Sequence, residues 1–204
     1  MCIRDRFKKV LEQQWQRAGT GEVPSRPYLQ LGVSSNVTYT YDESRKEGDR
    51  ITSVWVNGKP IDPKGTYTVG SGSFLIAGRD NFTELAKGSK PVDSGKIDLS
   101  VWVDWIKAHK TLKPDFAKRA VSLTTSLHEG TSRDTTFTLG KPADKAVAPD
   151  TVDFTSKDAV VNTIMKAQIV QDDKTVDVAT TPVKDGWSSV SVKVPTLCLI
   201  HISE

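Results

Sequence analysis

"NVTYTYDESRKEGDRITSVWVNGKPI", residues 36–61, sets the fold class. Val37, Tyr39 and Tyr41 alternate with threonines, the period of two that turns one face of a strand toward a core and the other toward water. "ESRKEGD" (43–49) is a polar turn, and "RITSVWV" resumes an imperfect alternation through Ile51, Val54 and Val56. Asn57-Gly58 then supplies the dipeptide that tight hairpins favour, because both central residues of such a turn take positive φ. "TYTVGSGSF" (66–74) reads as the next strand, and the whole reads as an antiparallel meander.

Helical patterns flank the meander. "FKKVLEQQWQR" (7–17) places Phe7, Val10, Leu11 and Trp15 at helical spacing. "NFTELAKG" (81–88) reads as a short helix stopped by Gly88. "DLSVWVDWIKAHK" (98–110) reads as a longer one, with Asp98 as its cap and Leu99, Trp102, Val103 and Ile106 on one face. Strands with flanking helices give an α+β domain over 7–110. Beyond 110 the helical period fades. "VNTIMKAQIVQ" (161–171), "KTVDVATTPV" (174–183) and "WSSVSVKVP" (187–195) read as strands of a smaller all-β, sandwich-like module over 111–196.

The two ends differ in composition from the segments they flank. "MCIRDR" (1–6) is what a transposase sequencing adaptor yields on translation, and "LIHISE" resembles the translated reverse complement, so 1–6 and 197–204 are set aside as adaptor artefacts. Both cysteines, Cys2 and Cys198, fall in those ends. A disulfide framework, a thiol nucleophile and a cysteine zinc site are therefore not expected, and a missing start explains the lack of a visible signal peptide. With 28 basic and 25 acidic residues the net charge is +3, and no basic stripe carries interleaved aromatics, so nucleic acid is not an expected partner. No run approaches the ~20 apolar residues of a membrane helix, so no membrane span is expected.

Catalytic constellations are scarce. His109 and His128 belong to no metal-binding spacing, "VGSGSF" (69–74) lacks the third glycine of a dinucleotide loop, and no residue is assigned as catalytic or as a metal ligand. The exception is "GSFLIAGRDNF" (72–82). A phenylalanine face can stack a nucleobase, an ionised carboxylate can accept from two vicinal hydroxyls, and a glycine permits positive φ or a close approach. The same residues also fit a structural role, in which Phe74 ends a strand in the core, Asp80 caps a helix from Asn81, and Phe82 anchors that helix.

Residues 26–82, with the "VLEQQW" helix (10–15) and the "IDLSVWVDWI" helix (97–106), resemble the C-terminal domain of bacterial 5′-nucleotidases, a secreted metallophosphatase family that includes UDP-sugar hydrolases and 2′,3′-cyclic-nucleotide phosphodiesterases. The family loop is typically N-F-x-x-x-G-G-D-[NG]-[FY]. The resemblance implies that Phe74 is one half of an aromatic clamp on the base and that Asp80 binds the ribose hydroxyls, with Gly78, Arg79 and Asn36 around them. Phe82 stays a core anchor. Ser73 replaces the family asparagine, Arg79 the second glycine, and Asn36 a glycine before the first strand; Asn tolerates left-handed backbone better than most residues.

The resemblance also implies a divalent metal pair in an N-terminal metallophosphatase domain that this chain lacks, so hydrolysis is expected of the parent protein and not of this piece. The expected ligand is a nucleotide or nucleoside, and the expected location is extracellular or at a bacterial cell surface, with 115–126 and the β-like remainder resembling extensions of wall-associated enzymes. The competing reading is a surface adhesion or spacer module with a degenerate nucleotidase-like domain.

Overall fold

A computed structural model describes residues 3–17, 21–62, 64–113, 115, 119–128, 133–139, 163–171, 174–184, 187–194 and 199–203. Cys2 and Cys198 lie outside these. The elements in chain order are α1 (Ile3–Glu12), β1 (Val37–Tyr41), β2 (Ile51–Val56), β3 (Lys59–Pro60), α2 (Ser73–Ile76), α3 (Asp98–His109), β4 (Ala120–His128), β5 (Arg133–Leu139), β6 (Ile164–Gln171), β7 (Lys174–Pro182), β8 (Ser188–Val194) and β9 (Leu199–Ser203), with a 3₁₀ turn at Leu85–Lys87. The architecture is mixed α and β, with mainly antiparallel pairing, and the chain divides into two compact units.

The second unit contains residues 34–58 and 118–204. β1 and β2 pair antiparallel, Val37 opposite Val56 and Tyr39 opposite Val54, with a register shift at Thr40/Tyr41. β1 is buried at Val37, Tyr39 and Tyr41 and half-buried between, as its alternation requires. Asn57 and Gly58 both have positive φ, 54° and 70°. The alternation and the turn were both legible.

β4 returns beside β1 in parallel, Tyr39 opposite Ala120, and pairs antiparallel with β5, which pairs with β8. A second sheet has the order β7-β6-β9. The two sheets share one core of Leu123, Phe137, Met165, Ala167, Val190 and Val192. The strands read at 161–171, 174–183 and 187–195 are observed as β6, β7 and β8. Residues 120–128 and 133–139 also form strands. In "RDTTFTL" one phenylalanine stands among threonines, a weak signal on its own, but threonine suits a pleated surface and Phe137 is buried.

The compositional division at 110 and the spatial one differ. The parallel β1–β4 ladder groups the β1–β2 hairpin with the β-rich module, while 59–117 groups with the N-terminal residues. The terminal segments set apart by composition also carry regular backbone: 3–6 open α1, and 199–203 pair with β6 as β9, Lys166 opposite Ser203.

The first unit contains residues 1–33 and 59–117. α1 stops at Glu12, short of Trp15. Gln13 N–H is shared between the Lys9 and Val10 carbonyls, and Trp15 enters an antiparallel bridge with Tyr28, their rings edge to face at 5.2 Å. The strand read at 66–74 is corrected: most of its residues are exposed, so no sheet face holds them, and Ser73–Ile76 form the single turn α2. The short helix read at 81–88 is reduced to the 3₁₀ turn ending at Gly88.

α3 forms where its pattern predicts. Ile97 is its N-cap, with no side-chain cap bond, and Asp98 stands one position inside, its carboxylate accepting the Leu99 N–H at 2.7 Å. Leu99, Trp102, Val103 and Ile106 do share a face, and that face is exposed, Leu99 at 70% and Trp102 at 61%. His109 closes the helix with its ring stacked on Trp105 at 4.0 Å and its Nδ1 2.8 Å from the Trp105 carbonyl.

Candidate functional site

The loop at 72–82 belongs to the first unit. After one helical turn, the Gly78 N–H donates to the Leu75 carbonyl at 2.8 Å and the Arg79 N–H to the Phe74 carbonyl at 3.2 Å. That pair of bonds, with Gly78 at φ +77°, is the Schellman ending of a helix. It ties the backbone of Phe74 directly to that of Arg79, the residue before Asp80.

Gly78 is required twice. Its φ suits glycine, and a Cβ there would lie 3.1 Å from the Ala86 Cβ and 3.3 Å from the Thr83 Cα. Asp80 and Asn81 then take left-handed backbone in succession, φ 52° and 61°. Asp and Asn tolerate this region better than most residues, but as single residues, so two in succession call for contacts that hold them.

Those contacts are polar. The Asn81 Nδ2 donates to the Gln16 Oε1 at 3.0 Å, the Gln13 Nε2 donates to the Thr83 Oγ1 at 2.7 Å, and the Glu84 N–H donates to the Gln13 Oε1 at 3.1 Å. Phe82 is buried at 2% exposure. The loop therefore sorts into two sets. Asn81, Phe82, Thr83 and Glu84 are hydrogen-bonded or buried, whereas Phe74 is 57% exposed and the Arg79 and Asp80 side chains are exposed and make neither a hydrogen bond nor an ion pair among the described residues.

This arrangement corrects the structural role open to Phe74 and Asp80. Phe74 does not end a strand in the core, and Asp80 caps nothing: the 3₁₀ turn begins at Leu85 with Glu84 at its cap position. Phe82 is buried as expected of an anchor.

Asn36 differs from its expectation. It lies in the other unit, its φ is not positive, and its side chain is engaged at the mouth of the β1–β2 hairpin. The Ser34 Oγ donates to the Asn36 Oδ1 at 2.6 Å, the Asn36 Nδ2 to the Asn57 Oδ1 at 3.2 Å, and the Asn57 N–H to the Asn36 carbonyl at 2.8 Å. An asparagine at this position therefore braces a turn and needs no left-handed backbone to do so.

The 5′-nucleotidase C-terminal domain family matches residues 5–87. These residues belong to that family. A 5′-nucleotidase-related protein of Glossina morsitans morsitans is 34% identical over 116 residues, 53% of this chain and 20% of that protein. A snake venom 5′-nucleotidase of Naja atra is 32% identical over 127 residues, 58% of this chain and 22% of its own length. The 5′-nucleotidase of Bos taurus is 31% identical over 118 residues, 53% of this chain and 19% of its own length. The chain thus spans about a fifth of the length of these relatives.

A metal pair does not fit the residues in hand. Among the described residues, no three His, Cys, Asp or Glu side chains gather as a metal site needs. In this family the metal requirement lies in the N-terminal domain. No described helix is long and apolar enough to cross a membrane.

Proposed function

We propose that this chain is the nucleotide-recognition part of an exported 5′-nucleotidase-like phosphoesterase. The single observation that carries the reading is the sorting of the loop: Phe74 and Asp80 are held in fixed backbone yet leave an aromatic face and a carboxylate free. The Phe74 ring stacks a nucleobase, and the Asp80 carboxylate accepts from the two ribose hydroxyls, the arrangement suited to an acceptor with two oxygens. Gly78 joins the two through the Schellman bonds. Arg79, in place of a family glycine, adds a cation beside the ribose site. Asn36, bonded to Ser34 and Asn57 in the second unit, is given no part in this contact set.

Hydrolysis belongs to the N-terminal metal-bearing domain of the parent protein, so the chain alone binds without turnover. Relatives named as venom proteins support an exported location for the parent.

AMP titrated into the 204-residue chain, followed by amide chemical shifts, tests this reading. Asp80→Ala is expected to weaken AMP about tenfold or more, the worth of hydrogen bonds to a charged acceptor. Phe74→Ala is expected to weaken AMP about 5- to 100-fold and to leave ribose 5-phosphate, which has no base to stack, unchanged. AMP affinity unaltered by both substitutions would remove the assignment. An unmodified chain that ignores millimolar AMP would favour an adhesion or spacer module, with Arg79 marking the loss of the site.

A further inference from the structure

The residues just past α1 carry three glutamines, of which Gln13 is half-buried and Gln14 and Gln16 are almost wholly buried, unlike most glutamines. Gln14 ties its own segment together, its Nε2 donating to the Leu11 carbonyl and its Oε1 accepting the Leu31 N–H, at 2.9 and 2.8 Å. Gln13 and Gln16 reach across more than 60 residues of sequence to the loop. Gln16 closes a short relay, its Nε2 donating to the Gln13 carbonyl at 2.8 Å while its Oε1 accepts from Asn81. Gln13 holds Thr83 and Glu84 at both ends of its amide.

We propose that Gln13 and Gln16 are positioning residues for the nucleoside site, an inference that rests on Phe74 and Asp80 being its base and ribose contacts. Asp80 presents its carboxylate from a left-handed residue followed by a second one, a succession that local preference alone does not fix. The tether acts just past that pair. Asn81 is held through its side chain by Gln16, and the next two polar residues by Gln13, so the carboxylate is offered in one orientation without touching either glutamine. An amide serves here because each glutamine must donate with one atom and accept with the other. No apolar residue of similar length can do both.

The experiment uses the 204-residue chain and two readouts. Without ligand, the backbone couplings and amide order of Asp80 and Asn81 report the left-handed pair directly. With AMP, the affinity reports the site. Gln16→Met is expected to disorder 80–81 and weaken AMP about five- to tenfold, the worth of one hydrogen bond at a partly buried site. The thermal midpoint should fall as well, because the Asn81 amide and the Gln13 carbonyl each lose a partner. Gln16→Glu keeps the acceptor for Asn81 but loses the donor to the Gln13 carbonyl and buries a carboxylate beside it, so it should not restore the unmodified affinity. Asn81→Ala should weaken AMP as much as Gln16→Met, with no further loss when the two are combined, as expected of one shared contact.

Order at 80–81 that survives Gln16→Met would overturn the tether. So would AMP affinity that survives it while Asp80→Ala loses binding. If the unmodified and Asp80→Ala chains treat AMP alike, the nucleoside reading fails instead, and the ligand-free couplings still decide whether the tether shapes the loop.

Discussion

Phe82→Ala is expected to destabilise the first unit by about 3–5 kcal/mol, the range for deleting a buried phenylalanine ring. Phe82 is 2% exposed, among the most buried large side chains of the chain, and few other apolar residues of its unit are buried as fully. The ring follows the two left-handed residues, and the backbone N–H of Phe82, which alanine keeps, donates to the Arg79 carbonyl at 3.2 Å and closes the turn around Asp80. Removing the ring opens a cavity and takes packing away from the turn while leaving its backbone bond in place. Denaturant unfolding of the variant, followed by amide signals from residues 59–113, measures the first effect, and AMP affinity under conditions where the variant is folded measures the second. Phe82→Leu, which keeps much of the volume, should recover more than half of the stability. A loss below about 1 kcal/mol for Phe82→Ala would show that the ring is not an anchor.

The contrast between Phe74 and Phe82 shows what the sequence could tell. Both are phenylalanines in one eleven-residue stretch, and residue chemistry alone allows either to be core. Their difference comes from Gly78. Once the chain turns there in the Schellman manner, Phe74 is left on the outer turn and Phe82 is carried inward. The glycine and its positive φ were legible, as were the "VTYTY" alternation and the Asn57-Gly58 turn, because each is a local preference expressed locally.

What was not legible depends on partners remote in sequence. The "TYTV" half of "TYTVGSGSF" has good β propensity, the Gly-Ser half does not, and neither says that no neighbouring strand will accept it. Nothing in "EQQWQ" distinguishes a solvated helix end from amides aimed at residues 81–84. The parallel placement of β4 beside β1 joins segments some 80 residues apart, and it moves the hairpin out of the unit to which its position in the chain assigned it. A buried amide or a parallel pair is specified by its complement, and a single stretch does not contain its complement.

Gly78→Ala carries the second large effect, and it separates two causes. Left-handed backbone costs an alanine about 1–2 kcal/mol. The new methyl would also stand 3.1 Å from the Ala86 Cβ and 3.3 Å from the Thr83 Cα, and the latter is backbone that cannot rotate away. Together these give an expected loss of about 2–4 kcal/mol, since a close contact in a packed site adds roughly 1–2 more. Gly78→Asn tolerates the φ but keeps the Cβ contact, so it should recover part of the conformational cost and none of the steric one. Gly70→Ala is the control, with open space around its Cβ and no positive φ, and it should stay within about 0.5 kcal/mol of the unmodified chain. The effect on the site comes through the Schellman bonds. They hold Phe74 and Asp80 in one frame, so Gly78→Ala should weaken AMP by at least as much as Phe74→Ala does, and should also weaken ribose 5-phosphate, which Phe74→Ala leaves alone. A Gly78→Ala chain that loses stability yet binds both ligands normally would mean that the base and ribose contacts are not coupled through this turn.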